Sequence, residues 1–238
     1  MNVCRFWPRG VIIVSKVQTN ENLILALPKG RILKEVMPIV RRAGIEPEAA
    51  FDRPADRKLR FTTNIDGLDI IRVRSFDVAT FVAFGGAHLG VVGNDVLMEF
   101  DFAELYAPLD LNVGHCRISV AEPADVLDGD DAGLWSSVRV ATKYPAITRR
   151  HFDQLGVQAE CIKLNGAMEL APQLGLCRRI VDLVSTGATL RANGLIEIEE
   201  ICAITSRLAV NRAAWKTRSE EVNRWIERFE EAVHAKTP

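Results

Sequence analysis

The sequence predicts an α/β protein with largely parallel sheets. Apolar runs of strand length alternate along the chain with segments whose apolar residues recur at helical spacing. The composition, 48% hydrophobic and 26% charged over 238 residues, is that of a globular chain able to bury a substantial core. No internal repeat, low-complexity tract or Gly/Ser linker interrupts it. Two lobes joined by strands that cross between them would account for the missing linker.

The elements begin at "NLILALPKGRILKEVMPIVRRAGI". Leu23 to Leu27 is a short buried strand. Ile32, Leu33, Val36, Met37 and Val40 then recur at helical spacing, and Gly44 stops that helix. Pro38 inside it is expected to bend it or mark an irregular turn. "KLRFTTN" and "LDIIRVR", separated by "IDG", predict a hairpin. "FDVATFVAFGG" reads as a helix ending in glycines, and "HLGVVG" as a buried strand whose following helix Asn94 or Asp95 can cap. "CRISVAEP" and "SVRVATKYP" flank an acidic turn, "LDGDDAG", and a helix follows over about 146–155. "AECIKLNG" is a strand, "AMELAPQLGL" a short helix and "RRIVDLV" a strand. "IEEICAITSRLAVN" alternates as one long strand. Thr217 and Glu220 form a capping-box pattern before a helix whose stripe is Val222, Trp225, Ile226, Phe229 and Val233.

Charge and cysteine usage exclude several classes. The net charge of −1 gives no general attraction to nucleic acid or membrane, so any anion site must be local. The five cysteines are scattered without a C-x-x-C pair, which fits a reducing cytosol and argues against a disulfide framework or zinc knuckle. Residues 1–22 read as a tail: Val11 to Val14 is too short for a signal-peptide core and lacks a cleavage site. No run approaches the roughly 18 apolar residues of a membrane span. Asp128 to Asp131 lacks EF-hand spacing and reads as a solvated turn. The four histidines show no metal spacing, and no G-x-S-x-G elbow or G-x-G-x-x-G fingerprint occurs.

Three constellations carry chemistry. In "DLVSTGATLRANGL" a buried strand delivers Asp182, and a turn follows with Ser185, Thr186, Gly187, Ala188, Thr189 and Leu190. Gly187 lets backbone approach a ligand, and N–H groups of the turn and the following helix suit phosphate. The hydroxyls add donors and Asp182 can accept from sugar hydroxyls, so the set suggests a sugar phosphate. Alone, the turn is equally a hydroxyl-rich strand-to-helix connection. In "LALPKGRIL", Lys29 and Arg31 flank Gly30 at a strand-to-helix junction. Cations there disfavour the helix dipole, which points to an anion rather than to two solvated side chains. Arg57, Lys58, Arg60, Arg72 and Arg74 form the third set, with Arg72 and Arg74 expected on one strand face; a salt-bridged surface ladder is the alternative. Lys143 and Tyr144 in "ATKYP" fall on a strand-end loop, where α/β sheets bind ligands.

These stretches together, with "IIRVRSFDVATFV", "LGVVGNDVL", "KLNGAMELAP" and "SRLAVN", resemble the ATP phosphoribosyltransferase family, in the family's order and over about 23–233. His88 stands where the family pattern has an acid. The resemblance implies a fold like a type II periplasmic binding protein: two lobes with a central cleft, domain I over 23–111 plus 203–238 and domain II over 112–202. It also implies the short form, which works with a separate regulatory subunit resembling histidyl-tRNA synthetase in a hetero-octamer, in the cytoplasm.

The implied reaction transfers phosphoribosyl from phosphoribosyl pyrophosphate to N1 of the ATP adenine, the first step of histidine biosynthesis. The resemblance assigns the 5′-phosphate to Ser185–Leu190 and the ribose hydroxyls to Asp182. Mg²⁺ would shield the pyrophosphate, with no protein side chain assigned to it. Lys29, Gly30, Arg31, Arg57, Arg72 and Arg74 are candidates for pyrophosphate and the ATP triphosphate, and Lys143, Tyr144 and Glu169 are placed in the cleft. The alternative is a non-catalytic small-anion-binding protein of the same fold, which would call for an export signal or a fused helix-turn-helix. An ordinary phosphoribosyltransferase is disfavoured because Val181, not a second acid, precedes Asp182.

Overall fold

The computed structural model describes residues 22–53, 57–126 and 136–235, and these form two sheets. The first half supplies β1 (Leu23–Pro28), α1 (Arg31–Arg42), β2 (Arg60–Thr62), β3 (Leu68–Val73), α2 (Ser75–Ala83), β4 (Leu89–Gly93), α3 (Asn94–Phe100) and β5 (Leu105–Asp110). The chain continues through β6 (Cys116–Pro123), β7 (Ser137–Thr142), α4 (Pro145–Gln154), β8 (Gln158–Lys163), α5 (Leu170–Gln173), β9 (Arg179–Val184), α6 (Ala188–Ala192) and β10 (Leu195–Ile204). It ends with β11 (Ser206–Asn211), α7 (Arg212–Thr217) and α8 (Ser219–His234).

One sheet has the order β2-β3-β1-β4-β11-β5 and the other β10-β6-β9-β7-β8. Both are mixed. In the first, β1 runs parallel to β3 and β4, and β2, β11 and β5 are antiparallel to their neighbours. In the second, β7 runs parallel to β8 and β9, with β6 and β10 antiparallel on the far side.

The wholly apolar β1 is explained by cover on both faces. Leu23, Leu25 and Leu27 join the core under α1 and α8, while Ile24 and Ala26 face the core under α2 and α3. The α8 stripe is buried there through Val222, Trp225 and Phe229. The second sheet divides likewise, Val140 and Val181 facing the α4 core and Ala141 and Ile180 the core beneath α5 and α6. At about 25 cal/mol per Å² of apolar surface, these layers supply the main force holding each sheet to its helices.

Four expectations are corrected. The long strand "IEEICAITSRLAVN" is two strands, β10 and β11, in different sheets. It changes partner at Thr205, whose carbonyl accepts from Asn94 and whose hydroxyl donates to Asp110. Pro38 marks no irregular turn: α1 runs through it, and it lies on the exposed side. Thr217 is the last residue of α7 and donates back to the Ala213 carbonyl at 3.0 Å, so it makes no capping box with Glu220. Neither Asn94 nor Asp95 caps α3, which begins after Gly93 without a side-chain cap. The acidic turn at 128–131 and residues 1–21 of the tail lie outside the described residues.

Two segments cross between the sheets side by side. Residues 111–115 lead from β5 to β6, and Thr205 leads from β10 to β11. They bond to each other, Leu111 N–H to the Ser206 carbonyl and Ser206 N–H to the Val113 carbonyl.

Candidate active site

The carboxyl end of β7 meets the first lobe, where Lys143 stands over Phe76 of α2 and Tyr144 bonds Asp95 of α3. At the end of β9 a pocket of about 160 Å³ is lined by Asp182, every residue of Ser185–Leu190, and Glu169. Gly187, at φ 70°, turns the chain into α6, where the first-turn N–H groups lack intrahelical acceptors. Ser185, Thr186 and Thr189 are exposed and Leu190 anchors the turn in the core.

Asp182 is partly buried, and its carboxylate accepts the N–H of Leu183 at 2.8 Å. Burial raises its pKa above the ordinary carboxylate value; the Leu183 bond and the charge of Lys143 oppose the shift, and the carboxylates of Glu169 and Asp95 add to it.

Two arginines that sequence reasoning missed brace the loop from behind. Arg191 donates to the Thr186 carbonyl at 3.1 Å and Arg117 to the Ser185 carbonyl at 3.2 Å. Arg117 also pairs with Glu197, which accepts the Ser119 hydroxyl at 2.7 Å and is held below its usual pKa chiefly by Arg117. A signal existed: Arg191 follows Gly187 by one helical turn, and Arg117 and Ser119 share a strand face.

The first lobe's cations do not line this pocket. Lys29 ties the ends of β1 and β3 through its N–H to the Val73 carbonyl, and its side chain is exposed. Gly30, at φ 89°, precedes α1, and Arg31 opens it, 3.6 Å from Glu35. Arg57 is exposed. Arg72 and Arg74 do not share a strand face, because β3 ends at Val73 and Arg74 is the residue before α2. The Arg72 guanidinium lies 5.2 and 5.1 Å from the ring centres of Phe51 and Phe61 and donates to the Phe51 carbonyl at 2.7 Å.

Lys143 and Tyr144 sit where the lobes meet. The Lys143 ammonium stands 4.0 Å from the ring centre of Phe76 in α2. Tyr144 is fully buried and donates its hydroxyl to Asp95 of α3 at 2.8 Å, so its polar atom is already engaged. His88 lies at the other end of the sheet, at the start of β4, where its Nδ1 accepts the Ile24 N–H at 2.9 Å.

This architecture and pocket define a two-lobed α/β protein of the periplasmic-binding-protein type, with strand-end groups suited to a phosphorylated sugar. Comparison gives the particular family. The profile described as "HisG: ATP phosphoribosyltransferase" matches residues 74–231. ATP phosphoribosyltransferase of Rhodospirillum rubrum is 67% identical over 90% of this chain and 95% of its own, and that of Paramagnetospirillum magneticum 69% identical over 89% and 97%. Among solved structures, "ATP phosphoribosyl transferase (HisG:HisZ) complex from Thermotoga maritima" is similar with a TM-score of 0.74 at 32% identity, covering 89% of this chain and 98% of that one. The Escherichia coli periplasmic aliphatic sulphonate binding protein SsuA, with a TM-score of 0.55 at 14% identity over 90% of this chain and 68% of its own, shares the fold alone. The chain belongs to the ATP phosphoribosyltransferase family and is a transferase.

Proposed function

We propose that this chain joins the 5-phosphoribosyl group of phosphoribosyl pyrophosphate to N1 of the ATP adenine, releasing pyrophosphate, at the first step of histidine biosynthesis. The observation that carries the site assignment is the convergence of Asp182, Glu169 and the whole Ser185–Leu190 loop on one pocket in a member of this family. In this reading the loop's hydroxyls and N–H groups hold the 5′-phosphate and Asp182 accepts from the ribose hydroxyls. The C1–oxygen bond to pyrophosphate breaks as adenine N1 attacks C1. Positive charge grows on the ribose and negative charge on pyrophosphate, so placement and fixed charge supply most of the catalysis. Lys29, Arg31, Arg57 and Arg74 serve the pyrophosphate and triphosphate from the first lobe, and Arg72 supports them by holding Phe51 and Phe61.

Mg²⁺ enters as part of the substrates. The substrate phosphates would be its main ligands, with no protein side chain assigned to it. We take the domains as 23–111 plus 203–238 and 112–202, a division that the membership of the two sheets supports except that β10, in the second, runs to Ile204. The likeness to a chain of a HisG:HisZ complex supports a regulatory partner; we take that partner to resemble histidyl-tRNA synthetase and the assembly to be a hetero-octamer. No helix among the described residues is long and apolar enough to cross a membrane, and the substrates are those of the cytoplasm.

The test mixes purified chain, ATP, phosphoribosyl pyrophosphate, Mg²⁺ and pyrophosphatase, with and without the partner, and follows near-ultraviolet absorbance of N1-substituted adenine. Absorbance growth that requires both substrates supports the reading. Silence with the partner present overturns it.

A further inference from the structure

Helix α3 of the first lobe grips the start of α4 in the second. The Glu99 carboxylate accepts the N–H groups of Ala146 and Ile147, each at 3.0 Å, filling the orphan donors at the α4 N-terminus from across the seam. Arg150 returns a bond to the Met98 carbonyl. Next to this grip, Asp95 is 6% exposed and accepts the hydroxyl of the fully buried Tyr144. Its carboxylate folds back over Gly93, where a Cβ would stand 2.1 Å from Asp95 Oδ1, so only glycine leaves it room.

Tyr144 is fixed from its own lobe as well. Its N–H donates to Thr142 Oγ1 at 2.9 Å, and its carbonyl accepts the Thr148 hydroxyl at 2.7 Å. The residue between these anchors is Lys143. Its ammonium lies over Phe76, another first-lobe group, and is near enough to Asp95 and Asp182 for both carboxylates to feel its charge.

We propose that Asp95, acting through Tyr144, is a positioning residue for the transfer reaction: it fixes Lys143 of the second lobe against the first and so sets the cation beside the ribose-binding acid. This rests on the function proposed above. It gives a first-lobe residue outside the lining of the Asp182 pocket a share in the chemistry, because a ligand group displaced by about 1 Å can cost 100-fold in rate.

The test is a double-mutant cycle in the complete enzyme with its partner, using Lys143→Ala, Tyr144→Phe and the two combined. Lys143→Ala is expected to lower kcat/KM for phosphoribosyl pyrophosphate about 100-fold and Tyr144→Phe about tenfold, with the double variant no worse than Lys143→Ala alone. Asp95→Asn, taken through the same cycle, keeps the test open if Tyr144→Phe fails to fold; circular dichroism and melting temperature establish folding. Losses that multiply in the double variant would overturn the proposal, because a purely structural hydrogen bond acts independently of Lys143. So would unchanged kinetics in Tyr144→Phe or in Lys143→Ala. In those cases the wild-type enzyme still makes product and the proposed function stands, whereas no product from wild type defeats both.

Discussion

Glu35 accepts the backbone N–H of Gly114 at 2.8 Å while standing 3.6 Å from Arg31. A residue of α1 therefore touches both a candidate ligand cation and one of the two segments that cross between the lobes. Gly114, at φ 73°, is held close: a Cβ there would stand 2.6 Å from Ile32 Cδ1 and 2.9 Å from Ser206 Oγ. Gly114→Ala combines left-handed strain with a clash in the crossover and should cost roughly 2–4 kcal/mol in urea unfolding. A loss under about 0.5 kcal/mol would mean the crossover yields easily.

Gly187→Ala tests the loop. The added Cβ would stand 3.0 Å from Arg191 Nη1 at a φ of 70°. Strain of about 1–2 kcal/mol falls on the loop and not on the core, so KM for phosphoribosyl pyrophosphate should rise roughly tenfold. The melting temperature should change little. Steady-state kinetics beside a thermal melt separate the two effects.

Asp182 predicts a pH effect on catalysis. Burial raises its folded pKa above the ordinary value, so as pH falls the carboxylate protonates earlier than an exposed aspartate would. The acid limb of kcat/KM for phosphoribosyl pyrophosphate should therefore begin above the usual aspartate range. In Asp182→Asn that limb should disappear along with most of the activity. An unchanged acid limb in the variant would assign it to another group.

His88 predicts a pH effect on stability. Burial, assisted by the charge of Arg218 and opposed by Glu221, lowers its folded pKa below 6.5. The unfolded chain then binds the proton more readily, so stability is complete above the unfolded pKa and falls as pH drops from it towards the folded one. Protonation also removes the Nδ1 acceptor that the Ile24 N–H uses. His88→Asn keeps an acceptor that does not titrate, and its urea-unfolding free energy should be flatter between about pH 7 and pH 5. Parallel profiles for the two proteins would remove His88 as the cause.

Much of this fold was legible because local pattern and tertiary role agree. The apolar run of β1, the α8 stripe and the Gly187 turn each mean locally what they mean in the structure. What could not be read depended on partners chosen at long range. The alternation across Ile204 and Ser206 is the same whether the strand stays in one sheet or changes to another, and only the crossover decides. Arg74 looked like a strand neighbour of Arg72 because "LDIIRVR" reads as one extended run up to the helix, whereas β3 ends one residue sooner, at Val73. Tyr144 read as a strand-end ligand because its true partner, Asp95, lies 49 residues away in the other lobe. Arg117 and Arg191 were passed over although their spacing offered a signal, because the carbonyls they serve, Ser185 and Thr186, are set by the fold of the loop and not by a motif.

The most direct measurement is calorimetric titration of phosphoribosyl pyrophosphate with Mg²⁺ into the wild-type protein and into Asp182→Ala and Gly187→Ala, without ATP. If the strand-end pocket holds the phosphoribosyl group, Kd should rise at least about tenfold in each variant while both remain folded, a loss of 1.4 kcal/mol or more by the usual conversion. Wild-type affinity in both folded variants would contradict the assignment and move the phosphoribosyl site out of this pocket.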